Sequence, residues 1–139
     1  MRVKKGENNK NKHPLNSGIP CIIHQCVKCC IETEMELTRS DIERIKKLGY
    51  KLKDFTVKNG RDHYLKNHNG KCVFLRDNRC AIYSYRPEGC RLYPLIFDED
   101  SGKAALHEFC PYRHEFKVSR EDIENLHAVI KKLIEEQKF

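Results

Sequence analysis

Apolar and polar positions recur along this chain with two different periods, and each period marks out its own stretch. In LTRSDIERIKKLG the apolar residues Ile42, Ile45 and Leu48 fall three apart, which gathers them on one face of a helix. Thr38 stands where an N-cap belongs, and Asp41 three residues later completes the capping pattern. Leu37 can staple against Ile42, and Gly49 supplies the stop. SREDIENLHAVIKKLIEEQKF repeats the logic: Ser119 caps, Asp122 answers it, and Ile123, Leu126, Ile130 and Leu133 make an apolar stripe. That stripe is too short for a coiled coil and is expected to face a core.

Between the two helices the period drops to two. HYLK, KCVFL and CAIY read as short strands punctuated by Asn69-Gly70 and Asp77-Asn78. Residues 72–75 and 80–83 are expected to pair around the RDNR turn, bringing Cys72 opposite Cys80. LYPLIF and KAALHEF flank DEDSG as a second hairpin, whose first strand Pro94 confines to an edge. A shorter helical or turn segment is expected near residues 52–57, before Asn59-Gly60. The predicted fold class is a small single α+β domain, with two main helices and short antiparallel hairpins. Residues 1–18, polar and carrying Arg2, Lys4, Lys5, Lys10 and Lys12, are expected to form a disordered basic arm, leaving 19–139 as the domain.

Composition adds a reason for that domain to need a staple. The 139 residues are 39% hydrophobic and 34% charged with no Trp, a thin supply of bulky core residues. No apolar run approaches the ~18 residues of a membrane span, and the basic N-terminus lacks a following apolar segment, so a cytoplasmic protein without a membrane partner is expected. In a reducing compartment disulfides seldom persist, and clustered cysteines read first as metal ligands or redox centres. The formal charge of +7 counts every cysteine as neutral. A four-thiolate site holding a divalent ion would subtract two charges, so part of the basicity can balance bound thiolates.

Eight cysteines are present: Cys21, Cys26, Cys29 and Cys30 within CIIHQCVKCC, then Cys72, Cys80, Cys90 and Cys110. Cys26 and Cys29 have the Cys-x-x-Cys spacing with which a turn aims two sulfurs at one ion. Adjacent Cys29 and Cys30 point apart in extended backbone, so one can ligate while the other serves elsewhere. The spacing accommodates one cluster with bystanders or two four-thiolate sites. His24, inside the first motif, can stand in for a thiolate or lie in an exposed loop. His63, His68, His107, His114 and His127 follow no metal-binding spacing.

CIIHQCVKCC followed by GKCVFLRDNRCAIYSYRPEGCRLYP resembles the YkgJ-type cysteine cluster proteins, a zinc- or iron-chelating domain family. Its pattern of CxxCxxCC, a helix, GxCxFL, CxIYxxRPxxCRxYP and a late cysteine is matched by Cys26, Cys29, Cys30, Cys72, Cys80, Cys90 and Cys110. Cys21 departs from it, with four residues before Cys26 where the family form has two. The resemblance implies zinc or an iron-sulfur cluster as cofactor. Arg86 and Arg91 are then candidates to offset thiolate charge, and Tyr83 or Tyr93 to shield the site.

Three functional readings follow. The first is a metal-binding protein holding zinc or an iron-sulfur cluster through clustered thiolates. The second is an enzyme, because flagellin lysine N-methylase, which would use S-adenosylmethionine, shares the cysteine cluster. Against it, the chain has neither GxGxxG nor GxxxxGK[ST], and the gap from Cys21 to Cys26 differs from that of radical S-adenosylmethionine enzymes. A nucleic-acid partner is the third, resting on the basic arm and charge without a recognition helix or interleaved aromatics.

Overall fold

The first long helix forms where capping chemistry and apolar spacing agree. Thr38 Oγ1 accepts from the Asp41 amide at 3.0 Å, and Asp41 Oδ2 accepts from the Thr38 amide at 3.0 Å, so two orphan donors are satisfied reciprocally. The structure, a computed structural model, describes residues 12–136. In chain order it holds β1 (His13–Pro14), α1 (Ile19–Ile23), β2 (Glu36–Leu37), α2 (Arg39–Lys46), α3 (Leu52–Phe55), β3 (Thr56–Asn59) and β4 (Asp62–Leu65). Then come β5 (Asn67–His68), β6 (Lys71–Cys72), β7 (Leu75–Arg76), β8 (Arg79–Cys80), α4 (Glu88–Leu92), β9 (Leu95–Asp98), β10 (Lys103–Leu106), β11 (Phe116–Lys117) and α5 (Arg120–Glu136). Short 3-10 turns punctuate the connections. This is the expected α+β class, with helices beside short antiparallel hairpins.

Two apolar clusters organise these elements. The first collects Leu37, Ile42, Ile45, Phe55, Leu65, Cys72, Phe74 and Ile82 from α2, the β2-β4-β3 sheet and the hairpins. The second collects Leu15, Leu92, Leu95, Cys110, Phe116, Leu126 and Val129 beneath α5. Asp41 ties the two halves together. Buried at the start of α2, its Oδ1 accepts from Arg44 at 2.8 Å and from the Glu88 amide at 3.0 Å, while Arg44 also donates to the Arg86 carbonyl at 3.0 Å. Gly89 then passes so close to Met35 that a Cβ there would collide with the thioether sulfur.

Several expectations need correction. Cys72 and Cys80 do not face each other across one hairpin: Cys72 pairs with Asn67 and Cys80 with Leu75. The reason is that Asn69-Gly70 and Asp77-Asn78 all take positive φ, so each pair closes its own two-residue hairpin. The strand expected to run to residue 83 gives way instead to a 3-10 turn at residues 83–85. On α5 the core face centres on Leu126 and Val129, with Ile123 at its exposed rim, and Leu48 lies exposed beyond the end of α2. Of the expected arm, residues 1–11 lie outside the described residues. His13–Pro14, however, pairs in parallel with Phe116–Lys117, and Leu15 is buried. Order therefore begins before residue 19, because Leu15 has an apolar cluster to enter.

Candidate metal centre

Local turns bend the first cysteine motif back on itself. Gly18 at φ 67° lets Pro20 enter the first turn of α1, a place where its missing N–H costs nothing. The helix ends at His24, Gln25 takes φ 51°, and the Cys26 amide donates to the Cys21 carbonyl at 2.9 Å. Cys29 and Cys30 follow on a 3-10 turn, not in extended backbone as expected. The chain then crosses to the hairpins: Ile31 bridges Lys71, and the Glu32 amide donates to the Gly70 carbonyl at 2.7 Å.

This path parts the eight cysteines, all of them free thiols. Cys30, Cys80 and Cys90 pack against the first apolar cluster, of which Cys72 is a buried member. Cys110 is a buried member of the second cluster, and Cys21 packs against it. Cys26 is half-buried and Cys29 exposed.

Sulfur chemistry responds to these positions. Burial pushes Cys72, Cys80 and Cys110 up, and in each case an amide two residues on (Phe74, Ile82 or Tyr112) donates to the sulfur and works in the opposite direction. Such an N–H favours the thiolate, which is the metal-binding form. Cys90 is held well above the usual thiol range, first by burial and then by the charges of Cys29, Cys72 and Cys80. Burial, with the charges of Cys29, Cys26 and Cys110, pushes Cys21 up to about 11. Cys29 goes the other way, to about 7, chiefly because the Cys30 thiol donates to it, with Arg86 adding to the effect. The same hydrogen bond pushes Cys30 far up.

Arg86 is central among the groups flanking the sulfurs. Its positive charge favours the thiolates of Cys21, Cys29 and Cys80. It is held there by Nε, which donates to the Tyr83 carbonyl at 2.9 Å, and by stacking of the guanidinium 3.9 Å above the Tyr83 ring. Arg91 instead donates to the Ser84 carbonyl at 2.9 Å and braces the backbone. Tyr93 packs against the second apolar cluster, as Cys21 does; its phenol is pushed up by burial and by the charges of Cys29, Cys110, Cys26 and Cys21, and its hydroxyl is 2.6 Å from His107 Nδ1.

Three residues near the site carry no readable sequence signal. Arg113, whose charge favours the Cys110 thiolate, donates to the Cys110 carbonyl at 3.2 Å. Glu115 and Tyr112 engage His24, which places Nε2 3.0 Å from both Glu115 carboxylate oxygens and stacks on Tyr112 at 3.7 Å. His24 thus fastens the first motif to the segment carrying Cys110. His107 partners Tyr93, and His127 lies edge-on to Phe97.

The donors suit a thiophilic metal in kind: soft sulfur, amide N–H groups that favour the thiolate at Cys72, Cys80 and Cys110, and a guanidinium whose charge favours it at Cys21, Cys29 and Cys80. Among the described residues, no group of three or more His, Cys, Asp or Glu side chains is arranged as a ligand set for an ion. Nor is any helix among them long and apolar enough to cross a membrane.

Comparison with known proteins points the same way as the donor chemistry. The uncharacterized protein MJ0661 of Methanocaldococcus jannaschii is 34% identical over 118 residues, covering 75% of this chain. The chain spans 63% of the length of that relative. No solved structure matches. The model of one family matches residues 20–111, from just before Cys21 to just after Cys110. The chain therefore belongs to the CxxCxxCC family, described as "Putative zinc- or iron-chelating domain".

Proposed function

We propose that this protein is a thiolate metal-binding domain that holds zinc or an iron-sulfur cluster through Cys21, Cys26, Cys29, Cys30, Cys72, Cys80, Cys90 and Cys110. The observation that carries the reading is that eight free thiols lie between residues 21 and 110, with Cys30, Cys72, Cys80 and Cys90 set in or against one apolar cluster and Cys21 and Cys110 in or against the other. Burial keeps most of these thiols protonated in the metal-free chain, whereas a bound metal would stabilise the thiolate form. A bound metal would supply cross-links between segments whose strands are only two residues long, too short to be stable alone. Arg86 and Arg113 would offset the negative charge of the ligated sulfurs.

The test is anaerobic purification followed by elemental analysis, visible spectroscopy and thermal unfolding with and without chelator. The expected result is zinc, or iron with sulfide, bound to the chain, with a melting temperature that falls when it is removed. A chain with no affinity for either, and the same unfolding curve in chelator, would overturn the reading.

A further inference from the structure

We propose that two copies of this chain pair in solution through the outer face of α5, with the two helices antiparallel across a two-fold axis that passes beside His127 and Ala128. The pairing does not rest on the metal-binding reading above and concerns a face that the core leaves over.

α5 carries more apolar surface than its own core uses. Leu126 and Val129 are buried beneath it, and Leu133 packs against the same cluster. At about 100° per residue, Ile123, His127, Ile130 and Ile134 fall within about 60° of one another, roughly 100° round the helix from that buried stripe. Their spacing of four, three and four residues is that of a seam between two helices. Ile123 is 36% and Ile134 52% exposed, His127 is exposed, and Ile130 is half-buried. An open hollow lies along the second half of the helix, lined by His127, Ile130, Lys131, Ile134 and Glu135. Phe97 of β9, edge-on to His127, continues the apolar surface to one side.

Charge decides what covers this face. Along its outer edge stand Arg120, Glu124, Lys131 and Glu135, all exposed and none in an ion pair among the described residues, so the signs run plus, minus, plus, minus. Such an order is complementary to its own reverse. With the second helix antiparallel, Arg120 meets Glu135 of the second copy and Glu124 meets its Lys131, and the two-fold axis repeats both pairs. The same register brings Ile123 close to Ile134 of the second copy, closing the seam at both ends. A parallel pair would instead oppose like charges at all four positions, which is unfavourable. One helix face of this length is smaller than a permanent dimer requires, so the association is reversible.

Sedimentation equilibrium of the anaerobically purified, fully reduced chain reads the pairing directly, since reduction removes dimers linked by disulfides. The mass is expected to rise from monomer to dimer with concentration, with a Kd of about 0.1 mM or tighter. Ile134→Glu should abolish the dimer and keep the wild-type unfolding curve, because the side chain it replaces is half exposed. Glu124→Lys, which opposes Lys131, should weaken the dimer about tenfold at low salt, and adding Lys131→Glu should restore it. If Ile134→Glu fails to fold, the charge variants decide, because both positions are exposed. A chain that stays monomeric up to about 1 mM would overturn the proposal and leave the face to a different protein. A dimer that Ile134→Glu leaves intact would overturn it as well, and equal weakening in the single and double charge variants would overturn the antiparallel arrangement.

Discussion

At the scale of single residues, Cys29 and Cys30 show how neighbours with the same chemistry can be made unlike. One thiol donates to the other, so Cys29 is acidified to about 7 while Cys30 is pushed far up. In the reduced, metal-free chain Cys29 should therefore be alkylated first by iodoacetamide, being both exposed and the more readily ionised. The thiolate is present above its pKa, so the rate should fall as pH drops through about 7. Cys30→Ala removes the donor and should move that profile to higher pH. Peptide mapping after timed alkylation reads both effects, and equal labelling of Cys29 and Cys72 at pH 7 would contradict them. None of this asymmetry is legible in the letters CC, because it depends on which thiol donates.

At the scale of elements, what could be read in advance was what is decided locally. Thr38 with Asp41, and Ser119 with Asp122, form the reciprocal caps that their spacing implies. The second hairpin also forms around its turn, with Leu95–Asp98 against Lys103–Leu106. What stayed hidden is nonlocal. Asp41 looks like a capping residue, yet it also accepts from the Glu88 amide and so ties α2 to α4. The expected pairing of Cys72 with Cys80 does not form because two adjacent turns divide the same short stretch, and each closes its own strands. Asp41→Ala should cost about 3–5 kcal/mol in urea unfolding, since it leaves Arg44 without its carboxylate and strips partners from buried amides. A loss of less than about 1 kcal/mol, the range expected of a cap alone, would show that the tie to α4 contributes nothing.

At the scale of the whole molecule, two apolar clusters of similar size are bridged by the first cysteine motif and by the Asp41 tie. The sequence displays the cysteines of both clusters but not their allocation, because proximity in space is set by the fastening of His24 to Glu115 and of Ile31 to Lys71. Family membership was legible in the spacing of Cys26, Cys29 and Cys30 and in the block from Cys80 to Pro94. Cys21, displaced from that spacing, nevertheless lies with Cys26 and Cys110, since the turn at Gln25 takes up the extra residues.

The contact between His24 and Glu115 has a consequence in time. It joins positions at opposite ends of the domain, whereas the hairpins holding Cys72 and Cys80 close over a few residues each. Loop closure slows as sequence separation grows, so the hairpins should assemble early in refolding and the long-range clasp late. Pulsed thiol labelling during anaerobic refolding should find Cys72 and Cys80 shielded before Cys21 and Cys110, and simultaneous shielding of all four would contradict that order. Until the clasp shuts, Cys21 and Cys110 would stay open to oxidants that Cys72 and Cys80 already escape, which makes the last step of folding the one most exposed to damage.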